Sequence, residues 1–309
     1  MHAAIQHYHS LLGNPDLAEA SHVALDDQLR RRNLVFGDRA LCTVLRPRFF
    51  TPEALRTLEG RIRRLMRAFA VAHEAAMADA ALRAQFRLAG WEEQLVLADP
   101  GYQAPSPHGR LDCFQVDATG TLALAEYTAE APAGAGYNDA LSDAFATIPV
   151  MRAFSERFSV RPLPARDGVG KIILDAWHQF SGGWNRPRIA IADWDDVPTQ
   201  SEFYFASIGI EAVIVDPRTM EYRGGKLYAG GGPVDLIYKR VLINELVERE
   251  GLEHPMVRAV RDRVNTDLDF VFGSSGKQTV ADPSALQMLE VGVVYNGVNP
   301  PDRTLDEDE

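Results

Sequence analysis

The stretch G-R-L-D-C-F-Q-V-D-A-T-G-T-L-A-L-A-E-Y-T-A-E-A-P-A-G-A-G-Y, residues 109–137, decides how the rest of the chain is read. Two short apolar runs, 113–116 and 121–125, flank Asp117-Ala118-Thr119-Gly120, a composition that suits a tight reversal between antiparallel strands. The expectation is a β-hairpin. Arg110 and Asp112 stand just before the first run, and Glu126 and Thr128 stand at the end of the second. Residues two apart on a strand share a face, so pairing around 117–120 lets the two sets lie side by side. Two carboxylates, a hydroxyl and a guanidinium suit a hard divalent cation carrying a polyphosphate, since magnesium takes one or two carboxylates plus phosphate oxygens and arginine neutralises phosphate. On spacing alone, a surface hairpin with an Arg/Asp pair fits equally well. The small-residue loop 131–136 and the helix-like segment that follows over 138–154 offer backbone N–H groups near Gly134 and Gly136 that can cradle an anion. Glycine-rich connections without a ligand are common too.

Outward from this stretch, residues 1–100 read as mostly helical. Thr51-Pro52-Glu53 supplies a capping hydroxyl, a proline at the first helical position and an early acid. Leu55, Leu58, Ile62, Leu65 and Phe69 follow at intervals of three and four, which predicts one buried helix face. The alanine-rich run 70–84 continues that helix or begins a partner. Arg46-Pro47-Arg48-Phe49-Phe50 reads as an extended approach to it, because residues before proline avoid helical geometry.

Composition excludes several classes. The 309 residues are enough for a sizeable core and for two domains, and 46% hydrophobic with 24% charged residues is ordinary for a globular protein. A net charge of −11 argues against general binding to nucleic acid or acidic membranes. The basic groups at Arg30-Arg31-Arg32 and over 61–67 read as solvated helix faces. Two cysteines, Cys42 and Cys113, support neither a disulfide framework nor a cysteine zinc site, and a reducing cytoplasm is the expected setting. No export signal stands at the start, and no run approaches membrane-spanning length. His2, His7, His9, His22 and His73 are scattered without metal-ligand spacing.

Between residues 186 and 240 the pattern changes. An apolar strand over 188–193 ends in acids, 199–208 is a short helix candidate, and 211–216 is a second strand. That is a β-α-β unit with a parallel strand pair in a Rossmann-like arrangement, with Asp193, Asp195 and Asp196 beyond the first strand's carboxyl end. No G-x-G-x-x-G follows the first strand, which argues against a dinucleotide enzyme. Leu227-Tyr228 and 234–238 read as another strand pair framing Gly230-Gly231-Gly232, with a phosphate cradle the weaker reading of that turn. His178, after 171–177, is read as a structural histidine near a strand end in preference to a catalytic base. Residues 273–279, G-S-S-G-K-Q-T, miss the P-loop pattern because Val271 and Gln278 occupy its glycine and hydroxyl positions. The acidic tail 296–309 is expected to be disordered.

The order R-L-D, E-Y-T-A-E-A-P-A-G-A-G-Y, the β-α-β unit and then V-D-L-I-Y-K-R-V resembles the circularly permuted ATP-grasp proteins, the group that includes the synthetase domain of glutathionylspermidine synthase. The resemblance covers about residues 46–240. It implies an α+β fold, permuted ATP-grasp-like, with a helical N-terminal region (1–100), a metal and phosphate subdomain (101–185), a Rossmann-like pre-ATP-grasp unit (186–262) and a divergent C-terminal segment (263–309). It also implies an ATP-dependent carboxylate–amine ligase with ATP and Mg2+ as cofactors and small-molecule or peptide carboxylate and amine substrates. In the family, an arginine contacts the transferring phosphate, and an Asp, a Glu and an Asn two positions later hold magnesium. Those roles map to Arg110, Asp112, Glu126 and Thr128, where threonine replaces the amide and reaches less far. The resemblance implies a nucleotide-binding lobe after Arg240, and the residues that follow do not resemble one. The alternative expectation is therefore a non-catalytic or truncated ATP-grasp-like binding or partner protein.

Overall fold

The computed structural model describes residues 1–36, 39–97, 108–116, 121–195 and 210–261, together with the backbone of 267–269. Within them helix and sheet are mixed, as the α+β reading expects. Helices α1 (His2–Leu12) and α2 (Pro15–Arg31) open the chain, with the Asn14 side chain accepting from the N–H groups of Asp16 and Leu17 at the start of α2. The short strands β1 (Val35–Phe36) and β2 (Arg39–Ala40) follow as an antiparallel pair that the helical reading of this region omits. Helix α3 (Pro52–Ala78) starts where expected, with Thr51 Oγ1 accepting from Ala54 N at 3.1 Å. Its predicted apolar face is only half-buried; Ala76 is its one buried residue. The alanine run does not continue α3 to its end, because Asp79 leaves helical geometry and caps the short α4 (Ala80–Arg83). Helix α5 (Gly90–Val96) closes this region.

Strands β3 (Arg110–Val116) and β4 (Thr121–Thr128) form the expected antiparallel hairpin, whose turn at 117–120 lies outside the described residues. The segment 138–154 is two helices, α6 (Ala135–Thr147) and α7 (Pro149–Ser155). They separate at Ile148, which precedes a proline and is extended. These two pack on α1 and α2 around Tyr8, Leu25, Leu29, Leu141, Phe145 and Phe154. Ser21 ties the layers: fully buried, its Oγ accepts from Val150 N at 2.9 Å, serving a helix start that has no side-chain cap of its own.

Helix α8 (Arg166–Ser181) takes up the segment that sequence places near a strand end, so His178 sits in a last helical turn with its ring 4.0 Å from that of Trp184. Val169, Ile173 and Ala176 are its buried face. Strands β5 (Ile189–Ala192) and β6 (Ala212–Val215) are the expected parallel pair, and the helix candidate between them lies outside the described residues. Strands β7 (Glu221–Arg223), β8 (Lys226–Ala229) and β9 (Gly232–Pro233) make a small antiparallel meander. β10 (Leu236–Lys239) does not pair with β8, as the sequence reading has it; it runs parallel to β5, and β9 takes the place beside β8. Helices α9 (Ile243–Glu250) and α10 (Pro255–Arg261) follow, and β11 (Asp267–Asp269) adds a fourth parallel strand beside β10.

The sheet order is β11-β10-β5-β6, and both faces are covered. Ile189, Ile191, Leu236 and Tyr238 point to α8, while Ala190, Ala192 and Ile237 point to the meander, α9 and α10. A parallel strand buried on both sides carries apolar residues throughout, which is why I-A-I-A and L-I-Y-K show no polar alternation. No helix among the described residues is long and apolar enough to cross a membrane.

Candidate functional site

The hairpin register places Arg110 opposite Thr128 and Asp112 opposite Glu126. All four predicted side chains therefore share one face at the base of the ribbon. A bulge follows at once: Cys113 pairs with Leu124, leaving Ala125 as an extra residue that bends the ribbon beyond the base. Arg110 is bidentate on Asp112, with Nε to Oδ1 at 2.9 Å and Nη2 to Oδ2 at 3.3 Å. Thr128 Oγ1 donates to Glu126 Oε1 at 3.0 Å. The opposite face carries Tyr127, whose ring meets Phe69 of α3 at 4.9 Å. A Cβ at Gly109 would run into the Tyr127 ring, so a larger residue there would displace that ring.

The hairpin does not stand alone. In chain order the parallel strands lie 2-1-3-4, so the chain leaves β5 toward β6 and returns to its other side at β10. Ligands of such sheets bind outside the carboxyl ends at that reversal. The carboxyl ends are knitted there by Arg240 N and Val241 N, both donating to the Ala192 carbonyl, at 2.9 and 3.2 Å. Against them lies the loop 130–134. Glu130 forms a buried ion pair with Lys239, and Lys239 Nζ also donates to the Val241 carbonyl at 3.0 Å. Glu130 Oε1 accepts from Ile243 N at 2.8 Å, capping α9 from 113 residues away. Arg240 Nη1 donates to the carbonyls of Ala131 and Pro132 at 3.3 and 3.2 Å, and Arg110 Nη1 donates to the carbonyl of Ala133 at 3.4 Å. The loop ends at Gly134, whose φ of 118° only glycine adopts without strain and whose carbonyl accepts from Asn138 N in the first turn of α6. Gly136 lies in that same turn. His108, just ahead of β3, stacks on Tyr238 of β10, and its imidazole is pushed down to about 4, first by burial and then by the Arg240 charge.

R-L-D, E-A-P-A-G and Y-K-R, scattered in sequence, therefore meet on one five-residue loop. Sequence reading singled out Arg110, Asp112, Glu126, Thr128, Gly134 and Gly136 but not Glu130 or Lys239. The available signal was a lysine closing a wholly apolar strand, since a buried lysine needs a carboxylate partner.

Other candidates are used structurally. The Asp193 carboxylate accepts from Trp194 N, and Asp216 accepts from Asp195 N and holds Arg218; Asp196 lies outside the described residues. The carbonyls of Ala229, Gly230, Gly232 and Pro233 converge on the Arg188 guanidinium, so the Gly230-Gly231-Gly232 turn presents acceptors, the wrong polarity for a phosphate cradle. Arg30 and Arg31 pair with Asp26 and Asp27 on the surface of α2. Cys42 and Cys113 are free thiols, and residues 273–279 lie outside the described residues.

As a donor set for magnesium, Asp112 and Glu126 fit: two cross-strand carboxylates satisfy an ion that takes its remaining oxygens from phosphate and water. No group of three or more His, Cys, Asp and Glu able to hold a metal occurs among the described residues. No family model matches the chain, and no curated protein matches its sequence.

Proposed function

We propose that the protein is an ATP-dependent carboxylate–amine ligase of circularly permuted ATP-grasp type, in which the parallel sheet is the Rossmann-like unit. The observation that carries this reading is the paired register of Arg110 with Thr128 and Asp112 with Glu126, docked through the 130–134 loop at the reversal point of the parallel sheet. Arg110 reaches the phosphoryl group in transfer and disperses its charge. A substrate carboxylate oxygen attacks the γ-phosphorus, the bond to the bridging oxygen breaks, and ADP leaves as an acyl phosphate forms. The amine then attacks the acyl carbon, inorganic phosphate departs with the C–O bond's electron pair, the nitrogen loses its proton, and an amide remains. Magnesium held by Asp112, Glu126 and Thr128 would supply charge neutralisation for the polyphosphate. Arg110 rests on Asp112, which orients its forked guanidinium for a phosphate that would take over part of that contact.

One observation favours the second reading, a non-catalytic binding or partner protein: Thr128 is turned onto Glu126 and shortens the ligand reach where the family has an amide. Titration calorimetry with Mg-ATP separates the two. Micromolar binding supports the ligase; no heat at millimolar nucleotide leaves the partner-protein reading standing. Within the ligase reading, Arg110→Ala is expected to cut ATP-dependent ADP release by at least about a hundredfold with the fold retained. Unchanged release would remove Arg110 from the chemistry.

A further inference from the structure

We infer that Glu130, Lys239 and Arg240 are positioning residues that hold Arg110 in its phosphate-facing place, an inference that rests on the ligase reading. Four observations converge on the loop between them. Glu130 and Lys239 are 8% and 5% exposed, so a full ion pair is kept out of water where an apolar pair would pack as well. Ala131 has a φ of 47°, a left-handed conformation that a residue with a Cβ rarely adopts and that persists only where its surroundings over-determine it. The Arg240 guanidinium fixes the carbonyls on both sides of the next peptide, those of Ala131 and Pro132, and the following carbonyl, that of Ala133, accepts from Arg110. One Glu130 oxygen, Oε2, is buried with no hydrogen-bond partner among the described residues, a cost that folding stability alone does not explain.

The consequence is a rigid chain of contacts: β10 holds the loop, and the loop holds Arg110. A two-stranded ribbon is weakly stable by itself, so Asp112 orients the Arg110 guanidinium within the ribbon while the loop fixes it relative to the parallel sheet. Phosphoryl transfer depends on placement to within a fraction of an ångström, which is why the tether terminates on the guanidinium and not on the ribbon's outer half.

The test uses the full chain and Mg-ATP as the probe in titration calorimetry. Lys239→Met leaves a buried carboxylate uncompensated and endangers folding, so Arg240→Met, at a half-buried position, is measured beside it with circular dichroism as the folding control. Arg240→Met is expected to weaken Mg-ATP binding about tenfold, the worth of one charge-assisted hydrogen bond. Arg110→Ala combined with Arg240→Met is expected to bind no more weakly than Arg110→Ala alone, since Arg240 acts on the nucleotide only through the placement of Arg110. A purely structural role predicts additive losses. A folded Arg240→Met that binds like the wild type, or losses that add in the double variant, overturns the inference while the ligase reading stands. A wild type that gives no heat with Mg-ATP overturns the ligase reading, and the inference with it.

Discussion

Asp216, at the carboxyl end of β6, offers a quantitative prediction. Its carboxylate is 4% exposed and accepts from Arg218 Nε at 2.8 Å, Arg218 Nη2 at 2.5 Å, Arg218 N at 2.9 Å and Asp195 N at 3.2 Å. These bonds, led by the Arg218 side chain, hold the carboxyl at about 2, against an ordinary value of 3.8. Arg218 is half exposed, so solvent screens its share and the linkage is carried on the buried Asp216 side. A depressed carboxyl contributes stability that is present above its unfolded value and lost as pH falls through its folded value. The shift corresponds to roughly 2.4 kcal/mol at neutral pH, about 1.3 kcal/mol at pH 3 and about 0.4 kcal/mol at pH 2. Asp216→Asn keeps the shape but not the charge. Urea unfolding followed by circular dichroism is therefore expected to show the variant about 2 kcal/mol less stable at pH 7, with the gap closing between pH 4 and pH 2. A gap that stayed constant over that range would mean the loss came from packing, and the charge argument would be wrong.

Two further outcomes follow from buried polar groups. His108 and His254 both sit below the ordinary histidine value, chiefly through burial. His254 also needs a neutral ring, because Nδ1 accepts from Met256 N while Nε2 donates to the Pro217 carbonyl. A lowered histidine contributes stability that is whole above the unfolded value near 6.5 and drains as pH falls; for His108 the loss runs down to about 4 and reaches up to roughly 3 kcal/mol. His108→Leu should flatten the unfolding profile over that window, and an unchanged slope would count against it. Ser21→Ala should cost about 1–3 kcal/mol in urea unfolding, because Val150 N–H would be left buried without an acceptor. A cost below half of that would show that the helix start finds another partner.

What the sequence made legible follows from how local the determinants are. The hairpin was readable because period-two polarity and a D-A-T-G reversal lie within twenty residues of each other. The β5–β6 pair was readable from two apolar runs that each end in an acid. The partner of β10 was not, because a neighbouring strand across a glycine turn looks like a hairpin from sequence. The choice of β5 depends on burying both faces of L-I-Y-K under elements far away in the chain. Helix α8 was obscured by the β-branched pair Ile172-Ile173, although Val169, Ile173 and Ala176 carry its period. The alternation of α3 foretold a buried face, but period reports which side is apolar and not whether anything covers it.

The site divides along the same line. Arg110, Asp112, Glu126 and Thr128 could be assigned to one ribbon because each pair sits two apart on one strand, but the bulge at Ala125 that brings the two pairs opposite one another leaves no mark in the sequence. Glu130 and Lys239 could not, because 109 residues separate them and nothing local says that either is buried. Yet their pairing turns four polar residues on a marginal ribbon into a fixed arrangement. On the proposed ligase reading, if charge near phosphate were enough, an exposed hairpin with a mobile arginine would serve, and a left-handed alanine and a dehydrated ion pair beside it would be a cost without a return. The chain retains both, with Arg240 binding the loop's carbonyls and Arg110 binding the next one. That arrangement makes sense when the placement of Arg110, and not merely its charge, is what the fold is built to secure.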